Sequence, residues 1–193
     1  MNIVHNRLCR SARWQRTVEE RLLPWALDGV DLTGRVLEIG PGFGATTRVL
    51  ARRATDLTAV EIDPRLAARL REQLGDAVTV VTGDGAELPF PDAHFDVVLC
   101  FTMLHHVPSA ELQDRILAEA RRVLAPGGVL AGSDSLVSTG FRIIHIRDVM
   151  VPVDPATLPG RLRAAGFDDV AVDTAAGRSL RFRARLARAV TPG

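Results

Sequence analysis

One stretch constrains this chain more than any other: Val36 to Thr47, Val-Leu-Glu-Ile-Gly-Pro-Gly-Phe-Gly-Ala-Thr-Thr. A short apolar run gives way to glycines at alternate positions, Gly40, Gly42 and Gly44, and helix-compatible sequence continues through Ala54. That is the pattern of a strand, a tight turn and a helix N-terminus. Such a turn lets a ligand approach the main chain where a Cβ would block it. The helix start adds N–H groups that lack partners within the helix. The spacing is G-x-G-x-G rather than the G-x-G-x-x-G of dinucleotide folds, and Glu38 stands two positions before the first glycine. A carboxylate there repels a pyrophosphate and suits a ligand with an ammonium group.

The next segments repeat the theme. Leu57 to Asp63 reads as a second strand, and Pro64 opens a helix that runs to Leu74. Glu61 falls some twenty residues beyond the glycine turn, where a second-strand carboxylate accepts hydrogen bonds from vicinal ribose hydroxyls. Asp63 competes for that role or caps the helix that follows. Ala77 to Thr82 is a third strand, with Asp84 just past its end as a ligand group or the head of an Asx turn. Ligands of parallel sheets gather outside the carboxyl ends of the strands, so Glu38, Glu61 and Asp84 mark one site.

Phe95 to Phe101 is uninterruptedly apolar, as a parallel strand covered on both faces must be. Thr102-Met-Leu-His-His-Val107 follows it. Two histidines on one short turn are expected to point apart, His105 to the reaction centre and His106 against the next helix. Ser109 caps that helix, which ends near Leu124; Pro126-Gly-Gly128 stops it, and Val129 to Asp134 is the fifth strand.

These motifs together, with Leu124-Ala-Pro-Gly-Gly-Val-Leu130, resemble the class I S-adenosylmethionine-dependent methyltransferases, in the small-molecule type related to the quinone-biosynthesis group. The resemblance implies an α/β fold, a seven-stranded Rossmann-like doubly wound sheet with an antiparallel last strand and an N-terminal helical lid. It implies a single domain over residues 1–193, with the lid in 1–30 and the core in 35–188. S-adenosyl-L-methionine would be the cofactor and S-adenosyl-L-homocysteine the product. The implied cofactor residues are Glu38, Gly40, Pro41, Gly42, Gly44 and Thr46 around the first strand, and Glu61 and Ile62 at the second, Glu61 on the ribose. Gly83, Asp84, Gly85 and Ala86 follow at the third, Asp84 on the adenine amino group, and Phe101 at the fourth.

The acceptor would be a small molecule offering an N, O or C nucleophile. His105 would serve as catalytic base where that nucleophile carries a proton. His5, Trp14, His106 and His145 are the candidate substrate-side residues. The Asn-Pro-Pro-Tyr type motif of base-modifying amino-methyltransferases is missing after the fourth strand, so no nucleic-acid partner is expected. A nicotinamide-dependent oxidoreductase and a catalytically silent cofactor-binding domain are the competing readings.

Elsewhere, Trp14, Val18, Leu22 and Trp25 space an amphipathic helix from Ser11 to Leu27 that Pro24 kinks or ends. Trp14 and Cys9 line a pocket or simply pack. Ser135 to Val153 suits a substrate-side wall or a dimer contact. Asp154 opens a helix through Ala165 that Gly166 caps, and Asp169 to Thr174 begins the sixth strand. Leu180, Phe182, Ala184 and Leu186 alternate with Arg181, Arg183 and Arg185, giving a strand with one buried face. Its arginine face reads as a solvated or edge-protecting surface rather than a nucleic-acid stripe.

Composition removes several chemistries. The chain has neither lysine nor tyrosine, so it has no P-loop or Schiff-base lysine and no Tyr and Lys pair of short-chain dehydrogenase type. A formal charge of +1 gives no reason to expect a polyanionic partner. Cys9 and Cys100 stand apart from other ligands at metal spacing, so no metal site or disulfide framework is expected. With no apolar signal core or membrane-length run in the sequence, the expected location is cytoplasmic.

Overall fold

The structure is a computed structural model that describes residues 7–138, 142 and 149–188. Its seven strands form one sheet in the order β3-β2-β1-β4-β5-β7-β6. They are β1 (Arg35–Ile39), β2 (Asp56–Glu61), β3 (Thr79–Thr82), β4 (Phe95–Phe101), β5 (Leu124–Ser135), β6 (Asp169–Ala175) and β7 (Ser179–Arg185). The first five pair in parallel, and β7 runs antiparallel to both its neighbours. The antiparallel last strand expected from the sequence is present.

Alternation along β1 divides the core into two layers. Leu37 and Ile39 face a cluster with Val98, Leu117, Leu130 and Phe182, while Val36 belongs to another with Val18, Leu23, Leu50, Leu70 and Leu99. Both faces are therefore apolar, which is why the central strands read as continuous hydrophobic runs. The chain order 3-2-1 then 4-5 reverses direction beside β1, and that places the crevice outside the carboxyl ends of β1 and β4.

Helix boundaries follow their caps. Helix α4 (Pro64–Leu74) starts on Pro64 with Asp63 as N-cap, its carboxylate accepting from Arg65 N at 2.8 Å and Leu66 N at 3.4 Å. Helix α5 (Ala110–Val123) is capped by Ser109, which accepts from Leu112 N at 3.2 Å, and buries Ile116, Leu117, Ala120 and Val123. At the N-terminus, α1 (Ala12–Thr17), a π-helical stretch (Val18–Leu22) and α2 (Leu23–Ala26) follow one another. Pro24 does not end this helix. The wide turn before it, with Leu23 N bonded to Val18 O, accommodates the ring and the missing N–H. Helix α6 (Leu158–Ala164) precedes β6.

Three expectations are corrected. The helix after the glycine turn, α3 (Thr47–Leu50), is four residues long and passes into turns before Ala54. Strand β5 begins at Leu124, ahead of Val129, because Leu124 pairs with Phe95 across a register shift and draws Pro126, Gly127 and Gly128 into the strand. The arginine-bearing β7 is interior, with β6 at the edge. Arg181 and Arg183 reach the N-terminal segment instead of guarding an edge. Arg181 Nη1 donates to Trp25 O at 2.7 Å while Nε meets Asp173 at 3.0 Å, and the guanidinium lies 5.4 Å from the Trp25 ring centre. Arg183 Nη1 donates to Asp28 O at 3.1 Å.

Candidate active site

A cavity of about 1160 Å³ opens outside the carboxyl ends of β1, β2, β3 and β4. Its floor is the glycine turn. Gly42 has φ +55 and a Cβ built there would meet nothing, so the main chain is open to a ligand. Gly44 has φ +75 for a different reason: a Cβ there would lie 2.4 Å from Leu70 of α4, and the residue lets turn and helix pack. Gly40 and Pro41 line the cavity; Gly44 does not.

The glycine turn is tied to the end of β2 by one side chain. Glu61 Oε2 accepts from Gly42 N at 2.9 Å and Oε1 from Asp63 N at 3.0 Å, and the residue is 5% exposed on the cavity wall. A carboxylate has about four acceptor sites, so capacity remains for two hydroxyl donors. Beside it Ile62 is 66% exposed, an apolar side chain held out on the wall. Asp84 lines the cavity after β3 and also heads an Asx turn, its Oδ1 accepting from Ala86 N at 2.8 Å. The loop beyond is anchored to α5: Glu119 accepts from Leu88 N at 2.8 Å and Arg122 donates to the carbonyls of Leu88 and Phe90.

Glu38 lies beneath the turn, fully buried and off the cavity wall. Thr46 donates its hydroxyl to Oε1, and Oε2 has no hydrogen-bond partner. Burial pushes its carboxyl up to about 7, against the opposing effect of the Thr46 and Thr47 hydroxyls and reinforced by the Glu61 charge. Thr47 favours the anion from nearby without completing a hydrogen bond.

The far side of the cavity is built by the turn after β4. Thr102 has φ +50, unusual for a β-branched residue, and its N–H bonds Ser133 O at 2.8 Å. A 3-10 turn (Leu104–His106) follows, and both histidines line the cavity with ring centres 4.1 Å apart. The expectation that they diverge is corrected, since the tight turn brings the rings together. Gln113 of α5 holds this turn from below, donating to Leu104 O at 2.9 Å and Val151 O at 2.8 Å, while Val151 N bonds His105 O at 2.9 Å. His105 is 2% exposed and its Nδ1 meets Asp134 of β5.

Trp14, Cys9, Leu8 and Thr17 close the cavity from the N-terminal helix. Burial drives the Cys9 thiol up to about 11, which leaves it protonated and poorly nucleophilic at neutral pH. The charged groups divide by side: Glu61 and Asp84 stand at β2 and β3, and Arg178, from the hairpin between β6 and β7, stands with the histidines. Among the described residues no three His, Cys, Asp or Glu side chains are grouped to hold a metal ion, and no helix is long and apolar enough to cross a membrane.

Known proteins are similar to this chain in sequence and in fold. A demethylmenaquinone methyltransferase of Tropheryma whipplei (strain Twist) is 36% identical over 123 residues, 63% of this chain and 47% of that protein. A structure described as an S-adenosylmethionine-dependent methyltransferase, possible histamine N-methyltransferase, of Thermotoga maritima superposes with a TM-score of 0.72 at 21% identity, covering 96% of this chain and 99% of that one. The model of the methyltransferase domain family matches residues 37–132, from β1 to within β5. The chain belongs to the class I S-adenosylmethionine-dependent methyltransferases. A probable ribosomal RNA small subunit methyltransferase A of Pyrobaculum aerophilum is also similar, 34% identical over 141 residues, 68% of this chain and 58% of that protein. The chain spans about half the length of the curated relatives it matches.

Of the residues singled out in the sequence, this methyltransferase brings Gly40, Pro41, Gly42, Thr46, Glu61, Ile62, Gly83, Asp84, Gly85, Phe101, His105, His106 and Trp14 onto one cavity. Glu38, Gly44 and Ala86 stand behind its wall. His5 and His145 lie outside the described residues. Sequence reasoning missed Asp134 and Arg178. Asp134 closes the small-residue run Ala131-Gly-Ser-Asp134 at a strand end, which is the same signal that exposed Glu61.

Proposed function

We propose that this domain methylates a small molecule. The observation that carries the reading is one apolar-walled cavity bounded by the open Gly42 main chain, the acids after β2 and β3, and the histidine turn after β4. Glu61, with spare acceptor capacity, would hold a ribose diol, Ile62 would cover an adenine ring, and Asp84 would accept from its amino group. The buried Oε2 of Glu38, lacking a partner, fits a ligand that brings positive charge above the glycine turn.

S-adenosylmethionine, when bound, supplies a methyl group already activated by the sulfonium charge. The residues here divide the remaining work. Gly40 to Thr46 and Glu61 fix the donor side, the apolar wall of Met103, Leu112, Ile116 and Leu136 orients the acceptor, and the N-terminal helix excludes water as a lid. Alignment of this kind is worth up to about 7–11 kcal/mol. His105 receives the acceptor's proton where one must leave. The arginines of β7 support a small acceptor over a polynucleotide, because Arg181 and Arg183 are engaged by the N-terminal helix.

Calorimetry with S-adenosylhomocysteine tests the donor half, and a methyl-transfer assay over phenol, amine and quinol acceptors tests the rest. Binding of NAD(H) in preference to S-adenosylhomocysteine would overturn the proposal.

A further inference from the structure

The hairpin that joins β6 to β7 turns on the ligand side of the sheet. Because β7 runs antiparallel to β5, its first residues lie where the parallel strands finish, with Ser179 opposite Ser135. The turn is tight: Arg178 N donates to Ala175 O at 3.0 Å, and Ala176 and Gly177 between them have φ +48 and +61, the left-handed backbone of short hairpin turns. Leu136 N donates to Arg178 O at 2.9 Å, which fastens the turn to the residue after β5. Arg178 is thereby held beside Leu136, and both line the cavity.

The chain carries 24 arginines and no lysine, yet among the described residues Arg178 is the one arginine on the cavity wall. Its neighbours along β7 have partners within the fold: Arg181 bonds Trp25 O and Asp173, and Arg183 bonds Asp28 O. The Arg178 side chain is exposed and makes no hydrogen bond or ion pair with a described residue. The acids of the cavity do not balance it either. Glu61 and Asp84 follow β2 and β3, and β2, the nearer of the two strands, lies four strand spacings from β7, about 19 Å at roughly 4.8 Å each. Screening at physiological ionic strength acts over about 8 Å. Next to this arginine the wall is Leu136, and Met103, Leu112 and Ile116 add further apolar surface.

Resting on the methyl-transfer reading above, we propose that Arg178 selects the acceptor: an organic acid whose carboxylate pairs with the guanidinium while its apolar body lies along the wall at Leu136. The planar guanidinium offers parallel N–H donors to both oxygens of a carboxylate. One cation balances a monoanion, whereas a phosphate dianion would leave charge uncompensated against apolar side chains.

An arginine that only decorates the hairpin would not discriminate between an acid and its amide. The probes are benzoic, hydroxybenzoic and medium-chain aliphatic acids, each paired with its primary amide, which has nearly the same shape and no charge. They are titrated by calorimetry into the full chain saturated with S-adenosylhomocysteine. At least one acid is expected to bind about tenfold more tightly than its amide, the lower end of what a charge-assisted hydrogen bond contributes. Arg178→Gln should abolish that gap and leave S-adenosylhomocysteine affinity unchanged. A wild type that binds S-adenosylhomocysteine but prefers no acid over its amide overturns the proposal, as does Arg178→Gln with the preference intact. The wild type also gives a readout that needs no variant: the preference should widen as salt is lowered, and indifference to salt overturns the assignment. Failure of the wild type to bind S-adenosylhomocysteine sinks the methyltransferase reading, and the acid and amide comparison on the unloaded chain then decides the role of Arg178 by itself.

Discussion

Glu38 holds a carboxyl in the middle of the sheet with one oxygen on Thr46 and the other unsatisfied. Its proton is retained to about pH 7 in the folded chain, against 4.5 for the ordinary carboxyl of an unfolded one. The folded state therefore binds the proton more tightly, and stability falls as pH rises through that window, by up to about 1.4 kcal/mol per unit. Urea unfolding from pH 5 to pH 8 should show that slope, and Glu38→Gln should flatten it; equal slopes in the two proteins would refute the assignment. Glu61→Ala is expected to cost about 1.5–3 kcal/mol of S-adenosylhomocysteine affinity, the worth of charge-assisted hydrogen bonds, read by calorimetry. Glu61 and Asp84 could be picked out in the sequence because each ends a recognisable apolar strand. Asp134 also ends a strand, but its contact with His105 depends on β5 lying beside β4, a pairing that no local pattern announces. The meeting of the two histidine rings was likewise set by turn geometry rather than by residue type.

Among the elements, β7 shows how far periodicity reaches. Alternation of Leu180, Phe182 and Ala184 with arginines establishes a strand with one buried face, and the structure agrees. Periodicity says nothing of what covers the other face, and here the N-terminal helix lies on it. Arg181→Ala removes a carbonyl bond, a contact with Asp173 and a cation-π contact at once, for an expected loss of about 1–2 kcal/mol. Hydrogen exchange over residues 12–27 should accelerate in that variant more than exchange in β1 or β4. Gly44→Ala forces a Cβ to within 2.4 Å of Leu70 at φ +75, and chemical denaturation should register a loss of about 1–3 kcal/mol. The early start of β5 escaped the sequence because Pro126, Gly127 and Gly128 look like a stop. Only the pairing of Leu124 with Phe95 draws them into the sheet.

At the scale of the whole molecule, a parallel sheet covered on both faces follows from apolar strands alternating with helices, while the antiparallel β7 is what the family resemblance implied. The site then assembles from strand ends that are far apart in the chain. A ligand that ties these ends together stabilises the fold by mass action. S-adenosylhomocysteine at a hundredfold excess over its Kd should add about 2.7 kcal/mol. Thermal unfolding should shift upward by roughly 5–10 °C for a domain of this size. The acids line the cavity after β2 and β3, on one side of β1, and the histidines line it after β4, on the other. A bisubstrate compound, an adenosyl head joined by a short tether to an aromatic tail, would engage both sides while surrendering its translational freedom once, and so should inhibit more strongly than its two fragments supplied together.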